Sequence, residues 1–323
     1  MESRGIPESL GHGRSRRNGA KHYWNDVMRI AVTGSTGLLG SHLLVELLKH
    51  YPEISALRRE GSLPRISLAR QPNWIHGGLN DLSESALEGI DCLIHLAAHG
   101  VDPQKANWDD CFRCNVVESL ALWRRAAKAG VKNFIICGSC FEYGATGDTC
   151  ECISVDTPLR PTGPYHASKA AATMAASALS ATETVKVWVL RPFHVYGLGE
   201  SASRLYPQIL KAAREGRDLD LTEGRQVRDF MRVEAAARMI HGYALLLTEE
   251  KREPFFRISN LGTGKPMSIR DFTTMIWKEN AGTGQLNFGV IPYREAEVMR
   301  YVPEIDIAEH IAAANALSRV AEL

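Results

Sequence analysis

The stretch MRIAVTGSTGLLGSH, residues 28 to 42, decides the fold. An apolar run ends at three glycines, Gly34, Gly37 and Gly40, and an apolar, helix-like segment follows them. Glycine permits a tight turn between a strand and a helix, and it lets a ligand come close to the main chain. The N-terminus of the helix then presents free N–H groups and the positive end of its dipole. The spacing G-x-x-G-x-x-G therefore predicts a site for a dinucleotide pyrophosphate.

Further along the chain, short apolar runs alternate with amphipathic segments. The strand candidates are RIAVTG, EISALRR, NWIHG, DCLIHLAA, NFIICGS and VKVWVLRP, with helix-like stretches such as NVVESLALWRRAAKAG between them. This alternation predicts right-handed βαβ crossovers and a parallel sheet. We therefore expect an α/β protein with a doubly wound parallel sheet of the Rossmann type and a smaller C-terminal substrate-binding region.

Changes in composition and in the alternation of strand-like and helix-like segments divide the chain into three parts. Residues 1–27 are polar and rich in Gly and Arg, which predicts a disordered tail, and the strand pattern begins at Met28. Residues 28–196 form the predicted dinucleotide-binding domain, to which a segment at about 226–262 returns. Residues 197–225 and 263–323 form the predicted substrate-binding region over the ligand edge of the sheet.

Charge and composition exclude several classes of function. Lys and Arg number 38 against 37 for Asp and Glu, so we expect no nucleic-acid partner. No run approaches the ~20 apolar residues of a membrane helix, so we expect no membrane partner. The seven cysteines include a C-x-x-C at 111 and 114 and a C-x-C at 150 and 152, spacings that match no familiar zinc module. We expect reduced thiols, no bound metal and a cytoplasmic location.

The end of the second predicted strand bears on the identity of the cofactor. NAD-binding proteins usually place an acidic residue there to hold the ribose hydroxyl, whereas this chain has Arg58 and Arg59. A guanidinium suits a 2′-phosphate, so NADP(H) is favoured. Glu60 follows directly and keeps NAD(H) possible.

The motif PYHASK supplies the candidate chemical centre. Tyr165 and Lys169 are spaced i, i+4 and lie on one face of a helix. An ammonium one turn from a phenol is expected to lower the phenol's pKa and to prepare it for proton transfer. Ser139 follows the fifth apolar strand, where its hydroxyl can bind a substrate carbonyl beside the tyrosine.

Together, TGSTGLLG, HLAA, GSCFEYG, YHASK, RPFHVYG, EGRQVRDF and NLGTG resemble the extended short-chain dehydrogenase/reductase family from about residue 28 to residue 300. The resemblance implies a bound NAD(P), a nucleotide-diphosphate sugar as substrate, and Tyr165, Lys169 and Ser139 as the catalytic residues. The cofactor would contact Gly34, Ser35, Thr36, Gly37, Leu38, Leu39, Gly40, Arg58, Arg59, Leu79, Leu96, Ala97, Ala98, Tyr165, Lys169, Pro192, Phe193 and Val195.

The residues after Ser139 separate the reactions of that family. Sugar-nucleotide 4,6-dehydratases have an Asp-Glu pair there, whereas this chain has Cys140 and Phe141, which argues against dehydration. Glu142 is one residue too late for that role unless the chain shifts locally. RPFHVYG and NFGVIPYREAEVM are similar to NADPH-dependent 4-ketoreductases of deoxysugar biosynthesis, the abequose synthase group. The implied substrate contacts are Ser139, Cys140, Phe141, His194, Arg228 and Arg294.

Three other functions stay open on the sequence. An epimerase would reduce and reoxidise a tightly held NAD, a regulator would bind NADP without catalysis, and a different reductase would act on a carbonyl without a nucleotide. The helices of NVVESLALWRRAAKAG and YHASKAAATMAASALS are expected to form a homodimer through a four-helix interface, as the family resemblance implies. Alternatively, the same faces cover the core of a monomer.

Overall fold

The computed structural model describes residues 28–295 and 297–321, so the predicted tail, residues 1–27, lies outside the described residues. Its strands are β1 (Ile30–Thr33), β2 (Ile54–Arg58), β3 (Asn73–His76), β4 (Cys92–His95), β5 (Asn133–Cys137), β6 (Lys186–Pro192), β7 (His194–Tyr196), β8 (Leu219–Leu221), β9 (Val227–Arg232), β10 (Phe255–Leu261), β11 (Pro266–Ser268), β12 (Leu286–Phe288) and β13 (Arg300–Tyr301). Its α-helices are α1 (Leu38–His50), α2 (Trp108–Phe112), α3 (Ser119–Lys128), α4 (Pro164–Glu183), α5 (Leu205–Glu215), α6 (Val233–Glu249), α7 (Ile269–Glu279) and α8 (Ile307–Ala321). A π-helical segment, Arg113–Glu118, joins α2 to α3.

The main sheet has seven parallel strands in the order β10-β6-β5-β4-β1-β2-β3. Each strand candidate of the sequence supplies one of its strands, and β10 adds the seventh. The predicted doubly wound α/β fold is therefore confirmed. The direction of winding reverses between β1 and β4, and folds of this class bind their ligands at such a switch point.

Side chains of the central strands alternate between two buried layers. In β1, Ile30 and Val32 join the core beneath α1 and α6, whereas Ala31 joins the core beneath α3 and α4. All four residues of β1 are buried, as expected for a parallel strand that helices cover on both faces. No helix among the described residues has the length and apolar character needed to cross a membrane.

The C-terminal half contributes to two regions. Strands β7, β9, β11 and β13 form a second sheet, and β8 pairs with β12. Helices α5 and α7 pack there around a separate core that includes Phe272 and Ile276. In contrast, α8 packs on α6, and its Ala313 belongs to the core beneath the main sheet. Strand pairing thus joins β7 to β9, and α8 lies against α6. The predicted domain boundaries stay a prediction.

The turn between β1 and α1 can be built only with glycine at two of its positions. Gly34 has a φ of +66°, and a Cβ there would lie 2.5 Å from the main-chain nitrogen of Ala97. A Cβ on Gly40 would lie 2.1 Å from the carbonyl oxygen of Gly34. The first turn of α1 therefore rests directly on the loop, and the loop rests on the chain that leaves β4.

Replacing Gly40 by alanine is expected to destabilise the fold, since the atoms that a new Cβ meets belong to the main chain and cannot rotate away. The expected loss in unfolding free energy is about 1–3 kcal/mol. Gly37→Ala is the matched control, because its Cβ would lie 3.1 Å from the nearest atom and its φ is −74°. We expect the control to stay within about 1 kcal/mol of the parent chain in urea unfolding. Equal losses of unfolding free energy in the two variants would contradict the close approach of the Gly40 position to the Gly34 carbonyl oxygen.

Candidate active site

The predicted site residues lie along one edge of the main sheet, where the parallel strands end. From one side to the other, the edge carries Leu79 after β3, Arg58 at the end of β2, the glycine turn after β1, Leu96–Ala98 after β4, Ser139 after β5, and Pro192 and Phe193 at the end of β6. Val195 follows on β7. This order spans the edge on both sides of the switch point, as an extended dinucleotide requires.

The glycine turn has the features of a phosphate cradle. Gly37 caps α1 without a side-chain hydrogen bond, so the first N–H groups of the helix point out of the turn. The Ser35 hydroxyl donates to the carbonyl oxygen of Leu57 at 2.5 Å and ties the turn to the end of β2. A Cβ on Gly34 or Gly40 would clash with main-chain atoms, so only glycine keeps this turn tight. A tight turn with free helix N–H groups fits a dinucleotide pyrophosphate.

The end of β2 presents an arginine held between two rings. The Arg58 guanidinium lies 4.5 Å from the ring centre of Trp74, and its Nη2 lies 3.2 Å from Nε2 of His76. The other ring nitrogen of His76 lies 3.2 Å from the Glu60 carboxylate. Arg59 is exposed. This end of the site therefore carries a positive charge with an acid close by, and both cofactor forms stay chemically possible.

Ser139, Tyr165 and Lys169 meet at the end of β5. The Ser139 and Tyr165 hydroxyls are within hydrogen-bonding reach of each other. Lys169 is 4% exposed, and its ammonium donates to the carbonyl oxygen of Cys137, the last residue of β5. Helix α4 begins at Pro164 with its fixed φ, which sets Tyr165 in the first turn. The structure thus brings the three predicted catalytic residues together.

The protonation of Tyr165 differs from the sequence expectation. Burial raises the pKa of Tyr165, the neighbouring Cys137 raises it further, and the contact with Ser139 opposes the rise. The sequence predicted a lowered pKa through Lys169. In the structure burial is the largest influence on the pKa of Tyr165, and the Lys169 ammonium donates to the Cys137 carbonyl oxygen instead. Tyr165 therefore holds its proton at neutral pH.

Asn115 is a polar residue of the site that the sequence reasoning missed. It lies in the π-helical segment and is 2% exposed. Its side chain accepts from the His99 main-chain N–H, and donates to the His99 carbonyl and to the Ser168 hydroxyl. Asn115 thus links the chain after β4 to the turn of α4 that carries Lys169. The π-helical geometry, which is frequent at functional sites, has no signal in the hydrophobic pattern.

Glu142 is buried beneath Ser139 and is fully paired. One carboxylate oxygen accepts from the Ser139 main-chain N–H at 2.8 Å, and the other accepts from Arg191 and from Thr173. Both Glu142 and Arg191 are at most 2% exposed. The local shift that would bring Glu142 to a substrate is therefore absent, and the carboxylate serves to hold Ser139.

The two residues that follow Ser139 offer no acid. Burial raises the pKa of the Cys140 thiol, so it stays protonated. Phe141 is 38% exposed, and its ring stacks on His166 at 5.0 Å. Tyr301, which the sequence reasoning also missed, donates to the Cys140 carbonyl oxygen at 2.7 Å and contacts Phe141. These positions form an apolar wall beside Ser139.

His194 and Arg228 lie close together on the paired strands β7 and β9. Burial lowers the pKa of His194 to about 3, and the nearby Arg228 acts in the same direction, so the ring is neutral. Its Nδ1 is buried and has no hydrogen-bond partner among residues 28–295 and 297–321. Arg228 is 8% exposed and contacts the Val298 carbonyl and the Glu297 carboxylate. A neutral imidazole suits a sugar hydroxyl better than a phosphate.

Arg294 is linked to Arg228 through Glu297: the Glu297 main-chain N–H donates to the Arg294 carbonyl oxygen, and the Glu297 carboxylate contacts Arg228. The Arg294 side chain is exposed and forms no hydrogen bond or ion pair within the described part of the chain. It lies in the irregular segment between β12 and β13, which follows the paired strands β8 and β12. Its predicted contact with a substrate phosphate stays a prediction.

The loop after β7 carries a further residue without a sequence signal. Burial raises the pKa of Glu200 to about 7, while Arg204 opposes the rise. Glu200 lines a cavity of about 400 Å³ with Leu198, Tyr206 and Lys211 among its other walls. The Leu198 carbonyl oxygen lies 2.9 Å from Nε2 of His42 on α1. The loop is therefore fastened to the helix that begins at the glycine turn.

Several named enzymes are similar to this chain in sequence or in structure. The model of the NAD dependent epimerase/dehydratase family matches residues 30–262. A CDP-abequose synthase from Salmonella muenchen is 25% identical over 84% of this chain and 87% of its own length. A UDP-glucose 4-epimerase from Corynebacterium glutamicum is 29% identical over 77% of this chain and 79% of its own length. The crystal structure of DesIV, a dTDP-glucose 4,6-dehydratase from Streptomyces venezuelae with NAD and TYD bound, has a TM-score of 0.72 at 25% identity and covers 91% of this chain and 96% of its own.

Removing the charge of Glu142 is expected to destabilise the protein strongly. In Glu142→Gln the Arg191 guanidinium stays buried without a counter-charge, which costs about 3–5 kcal/mol of unfolding free energy. Glu215→Gln is the control, because its pair with Arg217 is exposed on both sides. We expect the control to lose less than about 1 kcal/mol. Urea unfolding of the two variants measures the difference, and similar small losses would refute a buried ion pair at this position.

Proposed function

Because the chain belongs to the NAD dependent epimerase/dehydratase family, we propose that it is an NAD(P)H-dependent reductase. Its substrate is a 4-keto-6-deoxyhexose linked to a nucleoside diphosphate, and the 4-keto group is reduced. The observation that carries the proposal is the meeting of Ser139, Tyr165 and Lys169 beside residues that offer no free acid. This set supports reduction of a carbonyl and lacks the groups for eliminating water. The similarity to a CDP-abequose synthase is consistent with such a substrate.

In the proposed reaction, the chain's own residues bind the ketone and supply the proton. The Ser139 hydroxyl donates to the carbonyl oxygen and fixes its direction. Tyr165 holds a proton at Oη because burial raises its pKa, and it passes this proton to the oxygen as negative charge develops there. A bound reduced nicotinamide supplies the hydride that completes the secondary alcohol. Lys169 is held by the Cys137 carbonyl on the same side and orients the cofactor ribose.

The diphosphate of the substrate is assigned to Arg228 and Arg294. Arg228 lies beside His194, and a guanidinium binds phosphate oxygens in a two-pronged geometry. The apolar wall of Phe141 and Cys140 faces the unhydroxylated C6 methyl group, while the neutral His194 is available to a sugar hydroxyl. The proposed pocket is thus polar toward the phosphates and apolar toward the deoxy position.

For the cofactor, we propose a preference for NADPH over NADH. The guanidinium of Arg58 at the end of β2 supports this choice, since a guanidinium at the end of the second strand suits a 2′-phosphate. Glu60, which contacts His76 beside Arg58, is the feature that favours NADH. The similar crystal structure of DesIV has NAD bound, which also favours NADH.

The proposed reductase is tested by following the loss of reduced-nicotinamide absorbance with nucleotide-linked 4-keto-6-deoxyhexoses. We expect substrate-dependent oxidation, with a higher kcat/KM for NADPH than for NADH. Tyr165→Phe removes only the proton donor, and we expect the rate to fall by about 10²–10⁴-fold. Ser139→Ala is expected to lose activity, while Ser139→Thr is the matched control that keeps a hydroxyl.

Two outcomes would overturn parts of the proposal. A reaction that interconverts sugar nucleotides without net nicotinamide oxidation, in a protein purified with NAD, would establish a 4-epimerase, the activity of the similar Corynebacterium protein. A higher kcat/KM with NADH would overturn the cofactor preference alone. The cytoplasmic location stays a prediction.

We further propose that the protein is a homodimer built on the helical face of α2 to α4. Trp108 on α2, Val117 in the π-helical segment and Met174 on α4 are 59%, 63% and 66% exposed. The three elements contact one another, so these apolar side chains lie on neighbouring helices. A second copy that covers this face would remove them from water.

A charge on this face is expected to separate the proposed dimer. Met174→Lys should convert a dimer to a monomer in sedimentation velocity, because an ammonium would be buried against the second copy without a partner. Ile311→Lys is the control, since Ile311 is also an exposed apolar residue, at 54%, but lies on α8. A parent chain that sediments as a monomer, or a Met174→Lys chain that stays dimeric, would rule out this interface.

A further inference from the structure

One carboxylate and two imidazoles meet between α1 and α6, in the helical layer opposite to α3 and α4. Glu46 and His50 lie one turn apart on α1, and His241 on α6 faces them. These three residues, called here the α1–α6 cluster, have no part in the site at the strand ends. Helices α1 and α6 pack closely, and His241 is fully buried between them.

The distances within the α1–α6 cluster fit a bound ion better than direct hydrogen bonds. Oε1 of Glu46 lies 3.4 Å from Nε2 of His50 and 3.6 Å from Nδ1 of His241. Both separations exceed the ~2.7–3.2 Å of an N–H···O hydrogen bond. A tetrahedral Zn²⁺ with bonds of about 2.0–2.1 Å holds its ligand atoms roughly 3.3 Å apart. The three ligand atoms all lie within 4.8 Å of one another, so small side-chain rotations would complete the set.

Neighbouring residues leave the required lone pairs pointing into the α1–α6 cluster. The Tyr51 hydroxyl lies 3.0 Å from Nε2 of His241, the ring nitrogen on the far side from Glu46. Nδ1 of His241 is buried and has no hydrogen-bond partner among the described residues. Lys49 donates to Oε2 of Glu46 at 2.8 Å, which turns Oε1 toward the two rings. A hydrogen bond to one ring nitrogen, such as that between Tyr51 and His241, orients an imidazole that binds a metal through its other nitrogen.

We propose that Glu46, His50 and His241 form a binding site for a divalent transition-metal ion, with Zn²⁺ as the best fit. Two nitrogen ligands and one oxygen ligand suit this borderline ion and leave a fourth position for water. The His50 side chain is 17% exposed, which gives the ion a route from solvent. No metal was expected from the sequence, because the cysteine spacings were the only metal signal weighed and they match no familiar zinc module. The E-x-x-x-H of α1 becomes a site only when folding brings His241 to it.

An ion in the α1–α6 cluster would join two helices that are distant in sequence. Glu46 and His50 belong to the helix that begins at the glycine turn, and His241 belongs to a helix of the second half of the chain. Because the three ligands come together only in the folded chain, metal binding would stabilise the native state by mass action.

The test uses the full chain after chelation and dialysis, with Zn²⁺ alone as the titrant in calorimetry and thermal unfolding. We expect one ion per chain at this site and a rise in Tm of roughly 5 °C at saturation. His50→Gln should weaken binding by more than the ~10–100-fold typical of losing an outer-shell partner. His99→Gln is the matched control, because it removes a partly exposed imidazole that lies outside the α1–α6 cluster and contacts the Lys105 carbonyl oxygen. It should bind Zn²⁺ as tightly as the parent chain.

Co²⁺ separates this site from the cysteines of the chain. Visible absorption bands without a near-ultraviolet thiolate charge-transfer band would support coordination by imidazole and carboxylate. A thiolate band would overturn the proposal by placing the ion at a cysteine. Equal Zn²⁺ affinity in the parent and His50→Gln chains would also overturn it, and would leave the α1–α6 cluster as an ordinary polar contact. Should His50→Gln be unstable without metal, Glu46→Gln replaces it and the Co²⁺ spectrum of the parent chain decides.

Discussion

Helices cover both faces of the seven-stranded sheet, and this burial governs where chemistry can occur. Inside the strands, side chains alternate between two apolar cores, so polar groups that must meet a ligand can emerge only where strands end. The carboxyl ends of β1, β4, β5 and β6 lie side by side, and each delivers a different group to one edge. The glycine turn, the Leu96–Ala98 segment, Ser139 and Pro192 are thereby brought into one line although they are far apart in the chain.

Ser139, in the middle of that line, is supported by a buried ion pair. Glu142 receives the main-chain N–H of Ser139 and the guanidinium of Arg191, and Arg191 also donates to the Tyr143 hydroxyl. Tyr143 in turn donates to Asn260, the next-to-last residue of β10. The network joins the ends of β5, β6 and β10, so Ser139 is set by a rigid support. Because both oxygens of the Glu142 carboxylate accept buried hydrogen bonds, this carboxylate cannot also move to a substrate and act there as an acid.

The local pattern of the chain was sufficient to predict the fold and the groups that follow each strand. Apolar runs of strand length and three spaced glycines shape the chain through residues that are close in sequence. They therefore predict the strands and the first turn, and the parallel sheet is confirmed. Asn115, Tyr301 and Glu200 could not be found in this way. Their roles arise from a π-helical segment, a strand of two residues and a loop in which the Glu200 carboxyl is partly buried. The pKa of Tyr165 was expected to fall, and it rises because burial is a property of the whole fold. The contacts of His241 with α1 also depend on the whole fold, because they exist only when α1 packs on α6.

The contact between His42 and the Leu198 carbonyl joins two parts of the molecule that have different tasks. His42 lies in the second turn of the helix that opens at the glycine cradle, and Leu198 lies beside the cavity of Glu200. A change in the loop that moves the Leu198 carbonyl oxygen would therefore also act on the helix that begins at the glycine turn. Loop and helix thus form one mechanical unit, and a substitution at either end of the contact acts on both.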